Sequence, residues 1–216
     1  MPDFTLKSAA QWSHGLPHQV SAWDWLQSQL DPKILDEFKL RYRNQYRIDT
    51  MPAQYRIPEQ ALSIIKEFEG LYLEPYTCPA GVPTIGWGTT VYPNGQKVKL
   101  TDPMITEEEA EVYLVDKISK DIVPLLHKHV PFWSSMSSNQ RAALISFAYN
   151  LGAHFMSTSS GFETLQRQLR NKEWNSIPQT LLLYRNPGTK FEAGLLRRRH
   201  AEAHLWQGRG PHALES

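Results

Sequence analysis

The sequence predicts a mostly helical protein with a small antiparallel β subdomain, an α+β class reached from three observations. Apolar residues recur at helical spacing over most of the chain, as in Leu62, Ile65 and Phe68, or Ala143, Leu144, Phe147 and Leu151. Two segments, Thr106 to Glu109 and Ser137 to Gln140, place a hydroxyl residue three positions before Glu or Gln, the signature of a capped helix start. Sheet is predicted in one region alone, where Thr84-Ile85-Gly86-Trp87-Gly88-Thr89-Thr90-Val91 and Gln96-Lys97-Val98-Lys99-Leu100 flank Asn94-Gly95, a dipeptide suited to a tight hairpin.

In chain order, residues 1–50 predict an N-terminal helical hairpin module. Val20, Trp23, Leu26 and Leu30 form one apolar stripe after Pro17; Ile34, Leu35, Phe38 and Tyr42 form a second after the cap-then-proline start Asp31-Pro32. Such a hairpin is too small to rely on its own core, so its tryptophan-rich stripe packs on the rest of the chain or binds a partner. Residues 43–56 lack periodicity and lead into a main domain over 51–210. Its first helix stops at Glu69-Gly70, and Pro75, Pro79, Gly81 and Pro83 predict irregular chain until Thr84 opens the sheet. From Thr106 a long helix carries Leu114, Ile118, Ile122 and Leu125 on one face, and Pro124 is expected to bend or end it. Ser137 opens a strongly apolar helix that Gly152 can terminate. Ser160-x-x-Glu163 starts another with Phe162, Leu165 and Leu169, and Trp174, Ile177, Leu181 and Tyr184 continue the pattern after a break. Arg185-Asn186-Pro187-Gly188 reads as a turn, and a helix from Phe191 to Trp206 closes the domain.

Composition excludes several functional classes. With 41% hydrophobic and 21% charged residues the chain is neither disordered nor fibrous, and a net charge of +1 gives no electrostatic case for nucleic acid. The run Arg197, Arg198, Arg199 is a site for an anionic partner or a solvated helix face. One cysteine cannot form an intrachain disulfide, which suits synthesis in a reducing cytoplasm. The absence of a signal-peptide core or of any run of about 18 apolar residues predicts no membrane insertion, and hence a monomer that reaches a target outside the cell only after release. His200 and His204, like His127 and His129, lack an acidic partner at metal-site spacing and read as helix faces, so no metal or cofactor is expected.

The chemistry concentrates between Phe68 and Gly88. Glu69 ends a helix and is followed by Gly70, Tyr76, Cys78, Gly81 and the run Thr84-Ile85-Gly86-x-Gly88; Asn139 to Gly152 and Gly194 to Glu202 supply further motif-like segments downstream. This pattern resembles the phage-type (T-even) lysozymes of glycoside hydrolase family 24 over roughly Ile57 to Gly208. The resemblance implies a two-lobed fold in which a long helix joins a small sheet lobe to a helical lobe. It implies a peptidoglycan hydrolase that cuts the bond between N-acetylmuramic acid and N-acetylglucosamine in bacterial cell wall. Residue by residue it makes Glu69 the general acid, Arg198 its arginine partner, and Thr84 the residue that helps place the attacking water. A general acid must hold its proton near neutral pH, which desolvation or a neighbouring anion makes possible. Tyr76 is assigned to packing. Asn150 either hydrogen-bonds sugar or serves as a helix-end polar residue. Cys78 departs from the pattern by occupying the slot of the family's catalytic aspartate, where it is expected to take part as water-orienting base or as nucleophile, and Thr89 stands where a histidine is usual. Two alternatives follow from Cys78: a transglycosylase using one acid, or a wall-binding protein that has lost catalysis.

Overall fold

The computed structural model describes residues 28, 29, 31, 56–157 and 161–210. The chain divides into two units, Met1–Thr50 and Met51–Ser216. Ser28 and Gln29 are helical, and the rest of the expected N-terminal hairpin lies outside the described residues.

In the second unit, helix α1 (Glu59–Glu69) buries Ala61, Ile64 and Ile65 on one face and stops where Gly70 turns to φ +70°. Strands β1 (Tyr72–Thr77) and β2 (Pro83–Gly86) follow as an antiparallel pair with Tyr76 opposite Thr84 and Tyr72 opposite Gly86. This corrects the expectation of irregular chain up to Thr84. In a two-stranded sheet both strands are edges, and Pro75 falls in the irregularity between Tyr72 and Tyr76, where a missing N–H costs no regular ladder bond. The turn between the strands is closed by Cys78 N donating to Val82 O (3.0 Å) and Gly81 N to Cys78 O (2.8 Å).

The hairpin expected across Asn94-Gly95 shrinks to a turn, with Tyr92 N donating to Gln96 O (2.8 Å) and single bridges pairing Val91 with Lys97 and Ile85 with Thr89. The cause lies upstream. Gly86 and Gly88 take φ of +62° and +92°, so the chain curls back directly after β2 instead of running on as a strand. Gly86 is needed for a second reason, since a Cβ there would sit 3.1 Å from the Ala110 Cβ of the next helix.

That helix, α2 (Glu107–Lys117), begins on the expected capping box: the Thr106 hydroxyl accepts from Glu109 N, and the Glu109 carboxylate accepts from Thr106 N at 2.8 Å. As expected, the α-helix is interrupted at Pro124, although the break begins a turn earlier. The helix widens into a π-helical segment (Ile118–Ile122) in which Val123 N donates back to Ile118 O, and α3 (Val123–His129) restarts with Pro124 in its first turn, where no N–H is required. Helix α4 (Ser138–Leu151) carries the second capping box, from Ser137 to Gln140, and ends at Gly152. Ala142, Ala143, Leu144, Ile145 and Phe147 of α4 are completely buried, and α1 and α7 (Glu192–Trp206) pack against it.

Between them lie α5 (Glu163–Arg170), a short 3-10 turn at Trp174–Ser176 and α6 (Ile177–Leu181). Ser160 falls outside the described residues, and the Glu163 carboxylate instead accepts from Gly161 N at 2.9 and 3.0 Å. The rings of Phe147, Phe155, Phe162 and Tyr184 fill the space beneath α5, with Phe147–Phe155 centroids 5.3 Å apart at 85° and Phe162–Tyr184 at 5.0 Å. Phe147 and Phe155, the two fully buried rings, each contribute about 1.5–3 kcal/mol of transfer free energy. The result is a mostly helical unit with one small antiparallel sheet. Among the described residues no helix is long and apolar enough to cross a membrane.

Candidate active site

Glu69 is the last residue of α1, and the turn at Gly70 leaves its carboxylate at the helix end, 25% exposed. From the middle of α7, Arg198 reaches it: Nη1 donates to Glu69 Oε1 at 2.6 Å, and the arginine side chain is only 4% exposed. The rest of the guanidinium is committed as well, Nε to Glu202 Oε1 (3.3 Å) and Nη2 to the Ser146 carbonyl (3.1 Å).

Behind this pair Glu202 is completely buried, accepting from Ser146 Oγ (2.7 Å) and pairing with Arg199, whose Nε lies 2.9 Å from Glu202 Oε2. Arg199 also donates to Asn150 Oδ1 (3.0 Å) and lies over the Phe147 ring. Two guanidiniums therefore face two carboxylates, the fully buried Glu202 and the partly exposed Glu69. Equal numbers of opposite charges, each hydrogen-bonded, are what make burial of such ionic groups tolerable. The arginine run is thus only in part the solvated face or anion site that its sequence suggested: Arg198 and Arg199 point inward, and Arg197 stays exposed, 3.9 Å from Glu67 and over the Phe68 ring.

The facing wall comes from the curl after β2. Tyr149, near the end of α4, donates its hydroxyl to the Trp87 carbonyl at 2.6 Å. A Cβ on Gly88 would sit 3.5 Å from that hydroxyl and 3.8 Å from Glu69 Oε2, so the glycine, the tyrosine and the acid meet at one point. Burial, reinforced by the negative charge of Glu69, pushes the Tyr149 hydroxyl far above its ordinary value, so it stays a donor at any physiological pH. Sequence reading missed Tyr149 and Glu202. Both lie inside the motif-like segments 139–152 and 194–202, but what they do shows only in the contacts of the folded chain.

Cys78 sits in the β1–β2 turn, half-buried. The Val82 N–H foremost, then the Ala80 N–H and the Thr84 hydroxyl, hold its thiol below the ordinary value against the opposing effect of burial. Thr84 is buried, and its Oγ1 donates to Val82 O at 2.9 Å, so its hydroxyl is turned toward this turn. Tyr76 lies on β1 with its ring stacked on Tyr72 at 4.1 Å. Its hydroxyl is raised by burial first, then by Tyr72 and by the fields of Cys78 and Glu69. Asn150 has its amide oxygen committed to Arg199, leaving its NH2 as the group a ligand could meet.

Among the described residues no group of three metal-ligating side chains occurs. Around Glu69 the structure brings together Arg198, the Gly88 backbone and Tyr149, while Cys78, Thr84 and Tyr76 lie together on the β1–β2 hairpin. Such an arrangement holds one carboxylate in a fixed orientation where a ligand can reach it.

Residues 66–202 match the family model of phage lysozyme. An endolysin of Acyrthosiphon pisum secondary endosymbiont phage 1 is 29% identical over 155 residues, covering 70% of this chain and 97% of that protein. An endolysin of Bacillus phage B103 is 30% identical over 152 residues, covering 69% of this chain; the chain spans about half of that longer relative, 53%. Among solved structures, an endolysin from Escherichia coli O157:H7 phage FAHEc1 superposes with a TM-score of 0.58 at 30% identity, over 70% of this chain and 92% of that one.

Proposed function

This chain belongs to the phage lysozyme family, and from that premise we propose that it is a muramidase, hydrolysing the glycosidic bond between N-acetylmuramic acid and N-acetylglucosamine of peptidoglycan with Glu69 as general acid. The observation that carries this reading is the 2.6 Å pair between Glu69, at the end of α1, and buried Arg198. It fixes one carboxyl in one orientation beside the Gly88 backbone, where a sugar can approach closely because no side chain intervenes.

In the reaction Glu69 gives its proton to the glycosidic oxygen as the bond from that oxygen to the anomeric carbon breaks. A water then adds to the anomeric carbon. If water attacks from the opposite face, its proton needs a base, and Cys78 supplies one as thiolate, stabilised by the Val82 and Ala80 amides. Thr84 orients that water. The same thiolate is also a good nucleophile, and direct attack on the sugar would give retention in place of inversion. The anomeric configuration of the first product separates the two routes. Arg198, Tyr76 and Asn150 support the site without exchanging protons. The enzyme meets its substrate in the bacterial wall after release from the cell that made it.

Glu69→Gln tests the assignment, since the amide keeps shape and loses the transferable proton. Purified peptidoglycan should stay turbid with this variant while its circular dichroism matches the parent. Clearing at the parent rate would remove Glu69 as the acid. One observation favours a second reading: the β1–β2 turn presents a thiol where a second carboxylate would be expected, and a transglycosylase needs only one acid. Anhydro sugar ends among the products would establish it, and reducing ends would exclude it.

A further inference from the structure

At the other end of the α4–α7 pair from Glu69 lies a cleft of about 370 Å³ lined by Gln140, Trp174, Asn175, Pro178, Trp206 and Gln207. The two helices run antiparallel, since Asn150 meets Arg199, Ser146 meets Glu202, and Gln140 shares the cleft with Trp206. At 1.5 Å per residue, Trp206 lies about 12 Å beyond Arg198 along α7, so this cleft is separate from the candidate active site.

Its walls are chemically specific. Two indoles meet at 5.8 Å with a 35° tilt, and Trp206 Nε1 donates to the Trp174 backbone carbonyl at 3.0 Å, which fixes the Trp206 ring. Trp206 is nearly buried and Trp174 partly exposed. Three carboxamides surround the rings, and those of Asn175 and Gln207 stand in solvent. No lining residue is ionisable. The nearest acid, Glu173, is already occupied by Arg167 (2.7 Å) and Asn171 (3.0 Å). A rigid indole face beside amides that both donate and accept, with no charge, fits a neutral ring carrying hydroxyl and acetamide groups. It does not fit a peptide stem with its carboxylates and amines. The volume lies at the small end of the range for ligand sites.

We infer that the Trp174–Trp206 cleft is an accessory binding site for a neutral N-acetylated hexosamine unit of a glycan strand. The choice of wall glycan as its source rests on the function proposed above. A grip at this end of the helical lobe holds the enzyme on an insoluble strand while the Glu69 end cuts.

The test is indole 15N NMR of the full-length Glu69→Gln protein titrated with triacetylchitotriose, with resonances assigned from single Trp→Phe variants. The Trp174 and Trp206 indole signals should move saturably. Those shifts should vanish in Asn175→Ala/Gln207→Ala, two exposed substitutions that leave the core intact. Trp87, whose carbonyl meets Tyr149, reports on the active-site end independently. Movement of Trp87 alone would overturn the accessory site and leave the proposed function standing. Silence at all three indoles would overturn it as well. Movement of Trp174 in a protein whose parent never clears peptidoglycan would keep the site and remove the hydrolase reading.

Discussion

Removing the Arg198 guanidinium would leave the carboxylates of Glu69 and Glu202 and the Ser146 carbonyl facing one another. Breaking a buried pair from one side costs about 3–5 kcal/mol. Arg198→Ala should therefore lower the unfolding free energy measured in urea by that amount and abolish clearing of peptidoglycan. Arg198→Lys should recover only part of either, because one ammonium cannot span three acceptors arranged for a planar fork. A lysine variant indistinguishable from the parent would mean that charge alone, and not geometry, holds Glu69. Cys78 gives the second residue-scale expectation. Amides facing the sulfur hold its thiol below the ordinary value, and alkylation requires thiolate, so the iodoacetamide rate should reach half its plateau below the free-cysteine midpoint of about 8.5. Cys78→Ala should cut lysis and Cys78→Asp preserve it; full activity in the alanine variant would make the cysteine a bystander.

Among the elements, the short curl after β2 is the one on which the site's geometry depends. Gly88 at φ +92° lets its backbone approach Glu69 and Tyr149, and any side chain there must adopt a conformation that L residues rarely reach. Gly88→Ala should cost about 1–3 kcal/mol in thermal or urea unfolding. The methyl would also fall between the Tyr149 hydroxyl and the acid, so lysis should drop more than stability does; equal losses would point to a purely structural glycine. The helices around this curl were legible in the sequence because their determinants are local: capping boxes at Thr106 and Ser137, stop signals at Gly70 and Gly152, and an apolar period between. The sheet was not. Pro75 and Pro83 look like breakers until it is known that each strand is an edge, and Asn94-Gly95 promises a hairpin that the glycines at 86 and 88 prevent by turning the chain first. The π-helical widening before Pro124 was hidden for the same reason, being a response of neighbouring turns to one residue. At the site, Glu69 and Arg198 could be paired only through the family pattern, while Tyr149 and Glu202 needed the helix packing.

For the molecule as a whole, acid should weaken folding through two exposed carboxylates. Glu173 is held low first by the Asn171 amide and then by Arg167, and Glu192 first by Gly188 N and then by Arg185. A carboxyl with a depressed folded pKa contributes stability above its unfolded value of about 4.3 and loses it as pH falls through the lower folded value. Both are solvent-screened, so Glu173→Gln and Glu192→Gln should each produce a small loss of stability at pH 7 that disappears below about pH 4. A loss that persists at pH 3 would place it in packing. The remaining whole-chain question is what residues 1–50 add. The family match, residues 66–202, lies wholly in the second unit, so the matched domain is expected to fold without the first. A fragment spanning 51–216 should therefore keep a cooperative unfolding transition and the Glu69 cleft. Yet the first fifty residues hold Trp12, Trp23 and Trp25, three of the seven tryptophans in the chain, and the apolar stripe their sequence predicts would need a partner surface. The fragment should accordingly bind sacculi less tightly or melt earlier than the full chain, and comparing sedimentation with purified sacculi against thermal melting tells the two roles apart. Equality in both would leave the N-terminal unit as neither packing nor binding element, and a fragment without a cooperative transition would show that the core extends into it.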